Sequence, residues 1–263
     1  MRYYKLGNTD LTVSELGFGG IPILRLESTE AESILRYAFD KGINFFDTAN
    51  AYRDSEEKIG RAFAGMRDKV VLATKTMRRD GKVALENLEQ SLRMLRTDYI
   101  DLYQFHQVAQ ESVWEEICAT GGALAVLQKA KEAGKIRHLG ITSHSRPMAA
   151  KLIQTGLFGT IQFPFNFIEE AAAQDLHPEA RRLGPGILAM KPFAGGMIDN
   201  ATIAFKYLRQ FSDVLPLPGF DSVAAVDEVA GFYERENGLN ADDEARMASY
   251  RQELGQQFCR RCE

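Results

Sequence analysis

Four residues of types that take part in proton transfer stand at or just after the ends of short apolar runs. Asp47 follows NFF, Tyr52 lies five residues later, Lys75 ends VVLATK and His106 ends IDLYQFH. A tyrosine hydroxyl has a pKa of about 10, and a neighbouring ammonium lowers that pKa by favouring the phenolate. A carboxylate at Asp47 can keep Lys75 charged and in place. Tyr52 can then protonate an alkoxide that forms when a carbonyl is reduced, and it can accept the proton in the reverse reaction. The imidazole of His106 can orient a carbonyl oxygen.

Each of these residues, taken singly, also has an ordinary structural explanation. A lysine at a strand end extends to water, an aspartate caps a turn, and a loop tyrosine or a lone histidine packs with its polar atom satisfied. Their grouping at one end of neighbouring strands favours the functional interpretation, because a buried ammonium and carboxylate are costly unless they pair. No nucleophile stands beside a base and no tight metal-ligand set occurs, so acyl transfer and metal-dependent hydrolysis fit poorly.

The elements that must position these groups are short apolar runs that alternate with helix-like segments. The runs begin near Leu16, Asn44, Val70, Ile100, His138, Thr160, Gly186 and Val214. Runs apolar on both faces are typical of buried parallel strands, so the pattern predicts an α/β fold, a (β/α)8 TIM barrel. The alternative is a doubly wound open sheet, but the phosphate loop G-x-G-x-x-G is missing after the first strand, where the sequence is GFGGIP.

The chain is predicted to divide into a barrel over residues 1–235 and a C-terminal helical extension over 236–263, with a polar helix at 240–256 capped by Asn240. A long exit from the fourth strand contains Trp114, and a second exit spans 166–173. Both are candidates for walls of a substrate pocket, and packing of Trp114 on the following helix is the alternative.

Composition narrows the function classes. The 263 residues carry a net charge of −4 and are 45% hydrophobic, which is enough for one large core and argues against nucleic acid as a partner. The chain shows no signal peptide and no apolar stretch long enough to span a bilayer, so no membrane association is expected. Only three cysteines occur, which favours a reducing, cytoplasmic location. No feature determines the oligomeric state.

Several segments, in order, resemble motifs of the aldo-keto reductase family. They are NFFDTANAY at 44–52 followed by Glu56 and Gly60, ATK at 73–75, DLYQFH at 101–106 and GKIRHLGI at 134–141. The resemblance runs from residues 4–14, an N-terminal β-hairpin in the family, to at least Gly219. It implies NADPH or NADH as hydride donor and small-molecule aldehydes or ketones as substrates. It also implies a catalytic tetrad of Asp47, Tyr52, Lys75 and His106.

The same resemblance implies a set of cofactor-binding residues. They are Gly20, Ser143, His144, Gln162, Met190, Lys191, Gly219 and Glu228. His144 stands where the family has asparagine, and Met190 stands where it often has an aromatic residue. Ala225 and Val229 supply no charge or amide for an adenosine phosphate, and Lys191 is the one obvious nearby cation. The choice between NADP and NAD therefore stays open, with a slight preference for NADP.

Two cysteines near the end of the sequence resemble the start of an iron–sulfur motif. Cys259-Arg260-Arg261-Cys262 matches the beginning of a four-cysteine run for a 4Fe–4S cluster, which some related proteins carry after the barrel. Two thiolates cannot hold such a cluster, so this pair is a weak metal candidate and a cluster would need a longer chain. The cysteine pair leaves an electron-transfer protein as an alternative function, and the altered positions Met190, Ala225 and Val229 leave a cofactor-binding sensor as another. Cys118 is expected to pack in the core.

Overall fold

The computed structural model describes residues 1–235 and 238–254. The β-strands in these ranges are β1 (Tyr3–Lys5), β2 (Thr12–Ser14), β3 (Phe18–Gly19), β4 (Phe45–Asp47), β5 (Val71–Thr76), β6 (Ile100–Phe105), β7 (Ile136–Thr142), β8 (Thr160–Pro164), β9 (Gly186–Met190) and β10 (Val214–Pro216). The α-helices are α1 (Ser28–Asp40), α2 (Ser55–Ala62), α3 (Gly81–Met94), α4 (Glu111–Cys118), α5 (Ala123–Glu132), α6 (Arg146–Gln154), α7 (Leu176–Leu183), α8 (Ala201–Leu208), α9 (Val223–Phe232) and α10 (Ala241–Leu254).

Strands β3 to β10 form a closed parallel barrel. They lie side by side in chain order, as the alternation of apolar runs and helices predicts. The backbone amides of Gly17 and Gly19 donate to the carbonyls of Pro216 (3.0 Å) and Pro218 (2.7 Å), which joins the first barrel strand to the last. A Cβ at Gly19 would lie 3.0 Å from the Leu217 carbonyl oxygen, so glycine permits this close approach. The (β/α)8 prediction is confirmed.

The antiparallel hairpin of β1 and β2 closes the amino-terminal end of the barrel. Tyr3 pairs with Ser14 and Lys5 with Thr12. Hairpin side chains then pack on apolar residues inside the barrel, in a separate cluster that comprises Leu6, Leu11, Val13, Phe45, Val71, Ala73, Leu102, Leu188, Leu215 and Leu217. The hairpin expected from the family resemblance is present, and the carboxyl ends of the strands form the opposite, polar end of the barrel.

Helix α10 packs against the outside of the barrel near the exits of β8 and β9. Its first turn is capped by Asn240, whose Oδ1 accepts from the Asp243 amide at 2.9 Å, as predicted. Lys206 pairs with Asp243 at 2.7 Å, and Arg251 Nε donates to the Phe167 carbonyl at 3.0 Å. The division of the chain at residues 235 and 236 stays a prediction. Across 1–235 and 238–254, no helix is both long enough and apolar enough to cross a membrane.

The exit of β6 contains helix α4, which begins at Glu111. On α4, Trp114 and Ile117 lie three residues apart and face the core, where the Trp114 ring meets Phe158 edge-on with centroids 5.9 Å apart. Cys118 is one residue further round the helix and is therefore exposed. The expectation that Cys118 packs in the core was wrong. Of the two possibilities left open for Trp114, the structure shows packing in the core and not a pocket wall.

Candidate active site

The four predicted catalytic residues lie together at the carboxyl end of three neighbouring strands. Asp47 ends β4, Lys75 lies in β5 and His106 directly follows β6. In the parallel register Asp47 stands opposite Ala73, and Lys75 stands opposite Gln104. Tyr52 follows β4 in the turn before α2. Adjacent parallel strands thus bring side chains that are distant in sequence to one edge of the barrel.

Lys75 and Asp47 form a buried ion pair. Lys75 Nζ donates to Asp47 Oδ2 and to the Thr48 carbonyl, both at 2.6 Å, and the two side chains are nearly inaccessible to solvent. Burial raises the pKa of Asp47, while the Lys75 ammonium and the Gln162 and Gln104 amides oppose that rise. The pairing proposed from the sequence is therefore present, and it keeps a cation at the floor of the site.

The ring of Tyr52 lies between Lys75 and His106. Lys75 Nζ is 5.2 Å from the ring centroid, and the His106 ring meets Tyr52 edge-on with centroids 5.8 Å apart. Burial raises the pKa of the Tyr52 hydroxyl, Lys75 opposes this, and Asp47 adds to it. The lowering of the Tyr52 pKa by Lys75 that the sequence predicts is present. Loss of solvation outweighs it, so the pKa lies above that of a free tyrosine.

His106 is held as a neutral imidazole. It is 6% exposed, and burial, Lys75, His144 and Arg79 together lower the pKa of His106 to about 2. Its backbone amide donates to the Thr76 carbonyl at 2.9 Å. Its Nδ1 is buried and has no hydrogen-bond partner within the described part of the chain. A neutral ring with an unsatisfied nitrogen can offer a hydrogen bond to a ligand without carrying charge.

A pair of glutamines, of which the sequence argument selected only Gln162, supports the ion pair. Gln104 Nε2 donates to Asp47 Oδ1 at 3.2 Å and to Gln162 Oε1 at 2.9 Å, and Gln162 Nε2 donates to Asp47 Oδ2 at 3.4 Å. The signal was available, since Gln104 lies two residues before His106, and alternate residues of a strand face the same side.

A second buried carboxylate fixes the turn that carries Tyr52. Glu56, 2% exposed, accepts from the Thr74 hydroxyl at 2.6 Å and from the Asn50 amide at 3.3 Å. The Asn50 backbone amide donates in turn to the Lys75 carbonyl at 3.1 Å. The turn after β4 is therefore tied to β5 on both sides of the phenol, which limits how far Tyr52 can move from Lys75.

The four predicted catalytic residues and Gln162 form the floor of a cleft of about 460 Å³. Six of the eight predicted cofactor-binding residues line it: Gly20, His144, Gln162, Met190, Lys191 and Gly219. Ser143 and Glu228 do not. Ser143 is fully buried, with its hydroxyl accepting from the Ser145 amide, and Glu228 is exposed on α9. Segment 166–173 also contributes no lining residue, so its assignment to a pocket wall was wrong.

The cleft also contains residues that the sequence argument did not select. Among them are Arg25 on the exit of β3, Gln107 and Thr142 beside His106, and Phe193 and Ile198 on the exit of β9. Apolar side chains on one wall, amides at the floor and cations at two exits fit a nicotinamide dinucleotide, whose rings are flat and whose linker is anionic. No cluster of metal-binding side chains occurs in the described ranges, and Cys259 and Cys262 lie outside them.

Comparison with known proteins gives one consistent result. The sequence profile of the Aldo/keto reductase family matches residues 15–243. The uncharacterized oxidoreductase YrpG of Bacillus subtilis is 32% identical over 233 residues, 77% of this chain and 70% of that protein. The holo form of aldo-keto reductase AKR11C1 from Bacillus halodurans superposes with a TM-score of 0.81 at 24% identity, covering 95% of this chain and 96% of that one. An aldo-keto reductase from Klebsiella pneumoniae, solved in complex with NADPH, gives a TM-score of 0.79 at 21% identity and 95% coverage of both chains.

Proposed function

The chain belongs to the aldo/keto reductase family, and from that premise we propose that Tyr52 is the general acid in an NAD(P)H-dependent reduction of aldehydes or ketones to alcohols. Family membership makes the protein an NAD(P)-dependent oxidoreductase that acts on small carbonyl compounds. The observation that carries the assignment of Tyr52 is its ring, 5.2 Å from the ammonium of a buried ion pair and edge-on to a neutral histidine. Together these groups surround the point where a carbonyl oxygen can accept a proton.

The roles of the site residues follow from their contacts. A bound reduced nicotinamide supplies the hydride. The His106 imidazole orients the carbonyl oxygen by a hydrogen bond, and the Tyr52 hydroxyl gives its proton to that oxygen as negative charge develops. Lys75 stabilises the phenolate that remains, and Asp47 keeps Lys75 charged in its buried position. Gln162, at the floor of the cleft, is placed to bind the carboxamide of the nicotinamide ring.

NADPH is proposed as the preferred cofactor. Two cations, Arg25 and Lys191, line the cleft and supply charge for phosphates. The related Klebsiella pneumoniae structure contains NADPH, which supports the same choice. A cytoplasmic location is proposed as well, because the exposed thiol of Cys118 is suited to a reducing compartment. The sensor and electron-transfer alternatives are not favoured by any observation on residues 1–235 or 238–254.

The proposed function is tested by following the oxidation of NADPH and NADH with a panel of aromatic aldehydes and diketones. The Tyr52→Phe variant keeps the ring and its packing but removes the proton. We expect kcat to fall at least about a hundredfold in this variant, with little change in cofactor affinity. Tyr99→Phe is the matched control, because Tyr99 directly precedes β6 at its amino end and does not line the cleft. Equal turnover by wild type and Tyr52→Phe would remove the general-acid role.

A further inference from the structure

The peptide group between His106 and Gln107 is held at both of its polar atoms by side chains from neighbouring strand exits. Its carbonyl oxygen accepts from Arg79 Nη2 at 2.5 Å. Its amide, that of Gln107, donates to the Thr142 hydroxyl at 2.8 Å. This peptide group defines the ψ angle of His106, and the rotamers open to a side chain depend on the φ and ψ angles of its own residue. The two contacts therefore limit the directions in which the imidazole can point.

The backbone that follows this peptide group is in an unfavourable conformation. Gln107 is left-handed, with φ of 56°, a region that residues with a side chain rarely adopt. On either side of it the ladder of the barrel is regular, since the His106 amide donates to the Thr76 carbonyl and the Val108 amide donates to the Thr142 carbonyl, both at 2.9 Å. A conformation of this kind persists where the surrounding contacts maintain it, and it is common at functional sites.

Arg79 is itself anchored on the exit of β5. Its carbonyl accepts from the Ala123 amide at 2.8 Å, and the Gly81 amide donates to the Gly121 carbonyl at 2.8 Å, so this exit is tied to the turn between α4 and α5. Burial lowers the pKa of Arg79, and the Glu116 carboxylate opposes this only in part. Arg79 Nη1 is buried and has no hydrogen-bond partner in the described ranges. Burying a guanidinium with so few partners is costly, which calls for a reason beyond stability.

We propose that Arg79 is a positioning residue for His106, because its hold on the His106 carbonyl fixes the peptide group that directs the imidazole towards Tyr52. The two rings meet edge-on with centroids 5.8 Å apart. A different orientation of this peptide group moves the imidazole away from the tyrosine hydroxyl, so that one carbonyl oxygen can no longer contact both. The inference rests on the proposed function for the role of His106 in the reaction, but the effect of Arg79 on the imidazole does not require turnover.

The first test observes the arrangement of the two rings by NMR. The protein has four histidines, so selective labelling of histidine and tyrosine gives few signals, and His106→Asn assigns the one that matters. We expect the nuclear Overhauser effect between the His106 and Tyr52 rings to be lost or strongly weakened in Arg79→Met. Arg78→Met is the matched control, since Arg78 is the adjacent arginine, is exposed and does not line the cleft. An unchanged effect in Arg79→Met overturns the inference.

The second test measures whether Arg79 acts through His106 during carbonyl reduction. Arg79→Met should lower kcat about tenfold to a hundredfold, as expected for a displaced catalytic group, with no change in the Kd for NADPH. Arg79→Lys keeps an N–H donor and should recover part of the loss. In the His106→Asn background, Arg79→Met should lower kcat little further, because the group that it positions is absent. An equal fold loss with and without His106 overturns the inference.

Two comparisons keep these outcomes distinct. Circular dichroism checks that each variant is folded, and Arg79→Gln replaces Arg79→Met in every measurement if the methionine variant is not. Thr142→Val removes the hydroxyl that accepts from the Gln107 amide, and it should weaken the same ring-to-ring effect, whereas Thr142→Ser keeps the hydroxyl and should not. If wild type binds NADPH but reduces no carbonyl, the proposed function fails, and the NMR comparison still decides the role of Arg79.

Discussion

The buried ion pair between Asp47 and Lys75 predicts two variants whose stability changes with pH in opposite directions. Lys75→Met leaves a buried carboxylate, and burial raises the pKa of Asp47. The folded protein then binds a proton more readily than the unfolded chain does. Its stability is therefore greatest at low pH and is lost as pH rises from about 4 through the raised pKa. Asp47→Asn leaves a buried ammonium, which the folded state favours in its neutral form, so that variant should gain stability as pH rises from 7 towards 10.

The size of the effect follows from the geometry. With 2.6 Å between Lys75 Nζ and Asp47 Oδ2, the attraction is about 6 kcal/mol at an effective dielectric constant of about 20. Desolvation offsets much of this, and removal of one partner from such a pair typically costs about 3–5 kcal/mol. One titrating group changes stability by at most about 1.4 kcal/mol per pH unit. Urea unfolding followed by circular dichroism at several pH values measures both slopes.

The double variant Asp47→Asn/Lys75→Met provides the control. It removes both charges, so its loss of stability should be smaller than the sum of the two single losses by at least about 2 kcal/mol. Slopes of the same sign in the two single variants would refute the ion-pair argument, and so would strict additivity in the double variant.

Two further predictions concern His106 and Trp114. Because the pKa of His106 is lowered to about 2, folding excludes a proton that the unfolded chain takes up near pH 6.5, so wild-type stability should fall as pH drops from 6.5 to 4.5. His106→Asn should reduce that slope by up to about 1.4 kcal/mol per pH unit in urea titrations. Burial also lowers the pKa of His177, which contributes equally to both proteins. Identical slopes would contradict the assignment of His106 as neutral. Trp114→Ala should lose about 3–5 kcal/mol of stability because its ring packs on Phe158. The KM of this variant should be unchanged for several carbonyl substrates. A rise in KM for some substrates only would show that Trp114 lines the substrate pocket.

The barrel and the grouping of the four proposed catalytic residues were predictable because both depend on regular spacing. Apolar runs with polar residues at their carboxyl ends determine which side chains meet, and Asp47, Lys75 and His106 all stand at such ends. Gln104 follows the same alternation and could have been found. Trp114 was a candidate for a pocket wall and Cys118 was expected in the core because the sequence did not determine which face of helix α4 packs inward. Once that helix is known, its apolar spacing places Trp114 and Ile117 inward and Cys118 outward.

The cofactor wall was less predictable because its residues come from irregular exits. A motif match assigns a position in the chain but gives no side-chain direction, which explains why Ser143 is buried beneath the site while Glu228 lies on an exposed helix face. Arg25 lines the cleft, and the carbonyls of Ile23 and Leu26 on either side of it accept from the Lys58 ammonium, far away in sequence. No periodic pattern connects such a pair, so only the three-dimensional structure identifies it.

Burial raises the pKa of Tyr52, so the phenol is protonated at neutral pH. The proposed reduction requires that form at its start. Oxidation needs the phenolate, whose formation must overcome the same loss of solvation with only Lys75 to assist. Because Lys75 is paired with Asp47, the attraction of its ammonium for the phenolate is reduced. Without Asp47, the Lys75 ammonium would be buried with no carboxylate to stabilise it. With Asp47 and Lys75 paired, the phenol of Tyr52 stays protonated. The Lys75 ammonium still assists release of the proton once an alkoxide forms beside the phenol.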